Sequence, residues 1–162
     1  MTAAAQPEIL SVPAGAAWRL ALLNRDLQAL HAAMRPDIFR AATSLSEIAD
    51  QFAAALAGPA HFALLAVLEG QDAGYAFCEL LETGGDAFTH ARRRGLLHHI
   101  AVAPAFRRRG IATRLAGAAA ERFRAMGATE WAATYWEFNA ASAALLARMG
   151  LKPSLIRVEA PL

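Results

Sequence analysis

The stretch HHIAVAPAFRRRGIATRL, His98 to Leu115, decides how the rest of the chain is read. Its apolar run stops at Pro104, a residue that cannot donate to a strand ladder. Arg107, Arg108 and Arg109 then lead into Gly110. From Ile111 the apolar residues switch to helical spacing: Ile111, Leu115, Ala119, Phe123 and Met126 share one face, and Gly127 ends it. A strand, a basic turn and a helix start therefore follow one another. Backbone N–H groups at a helix start lack partners and carry partial positive charge, so an anion is favoured there. Gly110 and the small Ala112 let a bulky diphosphate approach the backbone. The alternative is a capped surface helix with solvated arginines.

Downstream, TEWAATYW (129–136) reads as a strand and NAASAALLARMG (139–150) as a short helix, with Asn139 as N-cap and Gly150 just past its end. SLIRVEA (154–160) reads as a closing strand. Upstream, Trp18 to Met34 has helical spacing and stops at Arg35-Pro36. A second helix follows Ser44, with Glu47 completing a capping pattern and Gly58-Pro59 ending it. HFALLAVLEG and DAGYAFCELLE are two strands joined by EGQD as a hairpin, and TGGDAFTHARRRG is a polar loop. The expected element order is β-α-α-β-β-β-α-β-α-β, a mixed α/β (α+β) chain forming one domain over residues 1–162.

Composition narrows the function class. The net charge is only +2, but seven of the sixteen Lys+Arg residues fall between Arg92 and Arg114, a local attractor for anions. That balance, without interleaved aromatics for base stacking, argues against nucleic acid. The longest uncharged run, Ala53 to Leu68, is interrupted by Gly58-Pro59 and His61, so no membrane span is expected. The start MTAAAQPEIL lacks a basic and an apolar region, so no secretory signal is expected. Cys78, the sole cysteine, excludes an intrachain disulfide, and a cytoplasmic protein is expected. The histidines are scattered apart from His98-His99, and no Cys/His spacing fits zinc, so no metal is expected.

IAVAPAFRRRGIATRL resembles the acetyl-CoA-binding motif of the GNAT (Gcn5-related N-acetyltransferase) superfamily, Arg/Gln-x-x-Gly-x-Gly/Ala after a strand ending in apolar-x-Val-x-Pro. FNAASAALLARMGLKP is similar to the family's second motif, with Asn139, Gly150 and Leu151 in the corresponding places. The resemblance covers Leu96 to Pro153 in detail. It implies a mixed, splayed central sheet of six to seven strands flanked by about four helices. It also implies an N-acetyltransferase using acetyl-CoA as cosubstrate and a primary amine as acceptor. Acetyl-CoA would lie between strand 97–103 and strand 129–136. The backbone of Ile100, Ala101 and Val102 would pair with the pantetheine arm. Arg107, Arg108, Arg109, Gly110, Ile111, Ala112 and Thr113 would hold the diphosphate, and Asn139 and Ser142 would contact the pantetheine. Family members often form homodimers; the sequence leaves the oligomeric state and the acceptor open.

The proton-transfer residues depart from the family pattern. The usual tyrosine of the second motif is replaced by Leu146, and a carboxylate that some relatives carry five residues before the asparagine falls on Thr134. His98 is the candidate base, an imidazole suited to taking a proton from an amine, and strand parity would place it on one face with Ile100 and Val102. His99 would point the other way as a packed histidine. Tyr135 is the candidate replacement acid or, alternatively, an aromatic filling the core or sheet edge. Glu79 and Glu82 could bind a cationic acceptor or be surface charge, and Glu137 a loop carboxylate or a substrate contact. Cys78 reads as inert core. Arg92, Arg93 and Arg94 read as a solvated loop or a contact for the coenzyme's 3′-phosphate or an acidic acceptor. The loss of the tyrosine keeps a second reading in play, a non-catalytic acyl-CoA-binding or sensor domain on the same fold.

Overall fold

The structure is a computed structural model that describes residues 5–162; the first four residues of MTAAAQPEIL, part of the reading of the amino terminus, lie outside the described residues. The chain order is β1 (Glu8–Ser11), α1 (Trp18–Met34), α2 (Leu45–Leu56), β2 (His61–Leu68), β3 (Gln71–Thr83), β4 (Arg92–Val102), α3 (Ile111–Ala125), β5 (Glu130–Ala133) and α4 (Ala140–Arg148). The five strands form one sheet in the order β1-β2-β3-β4-β5. Every neighbouring pair is antiparallel except β4 and β5, which run parallel through the α3 crossover.

Local chemistry sets most boundaries. Arg35, preceding Pro36, leaves helical geometry at φ −137° and ψ 66°, because proline's ring crowds the α conformation of the residue before it. Ser44 and Glu47 close the expected capping box: Ser44 Oγ accepts from the Glu47 amide at 3.2 Å, and Glu47 Oε2 accepts from the Ser44 amide at 2.9 Å. The β2–β3 hairpin turns through Glu69-Gly70, both at positive φ, as a two-residue loop matched to strand twist demands.

Each sheet face carries its own core. On one, Ile111, Leu115, Ala119 and Phe123 of α3 are buried against Ala76, Cys78 and Leu97, joined by Leu146 of α4. Gly95 allows this docking: a Cβ there would stand 2.3 Å from the Phe123 ring. On the other, Leu20 of α1 and Phe52 of α2 cover Ala63, Leu65, Tyr75 and Phe77.

Four expectations are corrected. The sheet has five strands among the described residues, not six to seven. SLIRVEA forms no strand; Leu155, Ile156 and Val158 are more than 80 % exposed, since β-branched composition makes a strand only where a sheet edge accepts it. TEWAATYW is a strand only over Glu130–Ala133, ending where its pairing with β4 ends. Arg92, Arg93 and Arg94 begin β4 rather than sitting in a loop. Arg92 pairs with Glu130, and Arg93 with Glu82 at 3.0 Å. They lie at the opposite end of β4 from the basic turn, roughly 30 Å of extended chain away, so the 3′-phosphate role is not supported.

Candidate active site

Strands β4 and β5 pair only over Arg94–Leu97 and Glu130–Ala133, and then part. β4 continues five residues, His98 to Val102, with β3 alone beside it. Its other edge presents unpaired backbone groups to an opening, the kind of edge along which an extended ligand adds as a strand. Ile100, Ala101 and Val102 line that edge. Ile100 and Val102 lean on the α3 side of the sheet, Ala101 on the other.

Beyond the edge lies the basic turn. Gly110 is the α3 N-cap at φ 76°, with no side chain capping the helix. Arg114 N–H bonds back to the Gly110 carbonyl, so the amides of Ile111, Ala112 and Thr113 precede the first intrahelical bond and need another acceptor. Arg108 is also left-handed, at φ 63°, an uncommon state for a residue with a Cβ and a mark of a constrained turn. Phe106 is buried and anchors the loop, and the Arg109 guanidinium lies over its ring at 5.6 Å. Arg107 Nε donates to the Val102 carbonyl at 3.2 Å, tying turn to strand. Arg108 makes no side-chain hydrogen bond or ion pair among the described residues. An open strand edge running into an uncapped, arginine-flanked helix start fits a thioester carrier with an extended arm and a diphosphate.

Where the strands part, β4 contains a bulge: Phe77 pairs with His99 and Cys78 with Leu97, leaving His98 as the extra residue. This overturns the expected parity. His98 does not share a face with Ile100 and Val102; it turns to the α1/α2 face alongside His99, where both rings pack on Phe77. His98 Nε2 lies 2.7 Å from Glu79 Oε2, with 37 % of its side chain exposed. His61 Nε2 lies 3.8 Å from the same oxygen. Glu79 was legible as a carboxylate near the third strand; His61 carried no signal, because its cross-strand pairing with Glu79 is a matter of register.

His99 is packed, as expected. Its ring meets Phe52 edge-on at 5.7 Å, and Tyr75 Oη sits 3.4 Å from its Nδ1. Asn24 Nδ2 donates to Tyr75 Oη at 2.7 Å, so a buried chain of three polar groups is internally satisfied. Burial, aided by neighbouring His98 and His31, drops the His99 pKa to about 4, which keeps the ring neutral. Burial likewise pushes the Tyr75 phenol and the Cys78 thiol well above their ordinary ranges, leaving Cys78 inert as read.

On the far side of the opening, Asn139 caps α4 by accepting from the Ser142 amide at 3.1 Å. That bond occupies the Asn139 carbonyl and the Ser142 N–H but leaves the Asn139 amide group and the Ser142 hydroxyl available. Leu146, at the place of the family's tyrosine, is 5 % exposed and belongs to the core. Tyr135 stands 45 % exposed just past β5. An aromatic wall flanks this loop: Trp136 stacks on Phe138 and meets Phe39, and Arg35 lies 4.8 Å over Trp136. Burial lowers the pKa of His31, which packs on Phe39 in the same group.

No helix among the described residues is long and apolar enough to cross a membrane. No curated protein matches the chain in sequence. Among solved structures, a tetramutant of the BH1408 protein from Bacillus halodurans superposes with a TM-score of 0.85 at 21% identity, covering 96% of this chain and 99% of that one. The aminoglycoside N-acetyltransferase AAC(6')-Iy in complex with CoA follows at 0.77 and 16% identity, covering 100% of this chain and 98% of that one. A ribosomal-protein-alanine N-acetyltransferase from Brucella melitensis biovar Abortus 2308 gives 0.68 at 17% identity, covering 96% and 99%. Those likenesses concern the fold. In sequence, residues 26–151 match the acetyltransferase (GNAT) family, a span containing the parted strands, the basic turn and the capped α4. The chain belongs to the GNAT acetyltransferase family and is an N-acetyltransferase.

Proposed function

We propose that the chain transfers the acetyl group of acetyl-CoA to a primary amine by direct attack, without an acetylated enzyme. The observation that carries this reading is the continuity of the site. The free edge of β4 leads at one end to the uncapped start of α3 and at the other to the His98–Glu79 pair. Acetyl-CoA supplies the activated acetyl thioester. The backbone of Ile100, Ala101 and Val102 binds its arm, and the amides from Arg108 to Thr113, with the side chains of Arg107, Arg108 and Arg109, hold its diphosphate. Asn139 and Ser142 contact the arm from the α4 side.

His98 takes the proton of the incoming ammonium through Nδ1, the ring nitrogen that the Nε2–Glu79 contact leaves free. Glu79 is its positioning residue: the 2.7 Å contact with Nε2 fixes the ring's orientation and tautomer. Tyr135, exposed just past β5, returns a proton to the leaving thiolate. A primary amine as acceptor is supported by fold neighbours whose names tie them to aminoglycosides and to a ribosomal-protein alanine.

Isothermal titration with acetyl-CoA, followed by thiol release over a panel of aminoglycosides, small amines and peptides, tests the reading. Binding is expected, with turnover of at least one amine that His98→Ala abolishes. No heat at high coenzyme concentration would remove it. The buried Leu146 takes away the family's usual phenol, so coenzyme binding with no turnover of any acceptor would count against this assignment of the proton steps.

A further inference from the structure

Three side chains distant in sequence converge on the α1/α2 face of the sheet. His61, Glu79 and His98 each offer a ligand atom, and these atoms lie within 4.8 Å of one another. His61 and Glu79 are direct cross-strand partners on β2 and β3, and the bulge in β4 swings His98 to the same carboxylate. Among the described residues Glu79 is paired with these two imidazoles and with no arginine or lysine. Arg94, further along β4, does not reach it. The side chains keep 26 %, 22 % and 37 % of their surface exposed, for His61, Glu79 and His98 respectively, so an ion can enter from solvent.

We propose that His61, Glu79 and His98 form a binding site for a divalent transition-metal ion of zinc type, and that the ion withdraws His98 from acetyl transfer. Two imidazole nitrogens and one carboxylate oxygen, with a fourth position open to water, are a donor set suited to zinc. Ligand bonds of about 2.0–2.2 Å in a tetrahedron place donor atoms about 3.3–3.5 Å apart. The present separations of 2.7 and 3.8 Å bracket that spacing, so modest side-chain rotation accommodates an ion. The rings are already organised for it. His61 stacks on Phe77 at 5.5 Å and 15°, and lies 25° from parallel with His98 at 6.2 Å. Phe77 thus holds both imidazoles against the carboxylate, the orienting role that neighbours of a metal site perform. An ion on Nε2 leaves the ring's one proton on Nδ1, so His98 can no longer accept the amine's proton there. Metal binding stands on this geometry alone; only its effect on turnover rests on the acetyl-transfer reading.

Cobalt(II), titrated into the untagged full chain, reads the site through its visible d–d bands without any coenzyme. The bands are expected to saturate at one equivalent and to be displaced by zinc. His61→Gln and Glu79→Gln, checked for folding by circular dichroism, should each weaken cobalt binding by about tenfold or more. His90→Gln, in the loop between β3 and β4, should leave it unchanged. In acetyl-transfer assays zinc should inhibit the wild type, a chelator should reverse this, and His61→Gln should resist it. Absence of d–d bands at saturating cobalt, or identical titrations for the wild type and His61→Gln, would overturn the site. Cobalt binding that leaves turnover untouched would overturn its hold on His98.

Discussion

The two faces of the sheet are built by different means. The α3 face is apolar and closed, and its chemistry lies at the helix end, in backbone amides that any sequence with the right turn could supply. The α1/α2 face interrupts its core with a buried chain, Asn24–Tyr75–His99, and an open cluster, His61–Glu79–His98, made of specific side chains on separate elements. Under the proposed function one face holds the coenzyme by geometry and the other handles protons by identity. Changes on the first are therefore expected to alter coenzyme affinity or stability, and changes on the second to alter turnover.

The largest effect should come from His98→Ala. Losing a general base lowers kcat by about 10²–10⁴-fold, and titration calorimetry should show coenzyme affinity unchanged. An equal loss of affinity would blur the two faces into one. Phe123→Ala attacks the other side. It removes the ring seated over Gly95 and should cost about 3–5 kcal/mol in urea denaturation. Gly110→Glu puts bulk and negative charge at the uncapped helix start, and should raise the coenzyme Kd by about tenfold or more. Gly110→Ala is its control, since it bears the same strain at φ 76° without the charge. The two variants binding equally well would deny the turn an anion. The smallest effect is Ser44→Ala, which breaks the α2 capping box far from either chemistry. It should cost about 1 kcal/mol of stability and change no kinetic constant.

The coenzyme side was the more legible of the two because its signals are short in sequence. Pro104, Gly110 and the Ile111–Phe123 stripe lie within one crossover, and the Asn139 cap within one turn. The boundaries of α1 and α2 were equally local, set by Arg35-Pro36 and by the Ser44 and Glu47 pair. The proton-handling side was legible only as a list of candidates. His98 was on that list, but its direction was misread, because simple alternation cannot anticipate a bulge that inserts one residue and reverses the face. His61 was invisible, since nothing in a spacing of 18 residues to Glu79 or 37 to His98 marks three adjacent strands in register. The closing strand failed for a related reason: SLIRVEA has the composition but pairs with no strand of the sheet.

By itself, then, the sequence determined where helices start and stop and where the chain turns. Each of those outcomes is settled by hydrogen bonds and sterics acting over a few residues. Strand register, the bulge, the parting of β4 from β5 and the meeting of two imidazoles on one carboxylate were decided only when the sheet assembled. They depend on which distant backbone groups find one another, and that energy is gained only in the packed whole.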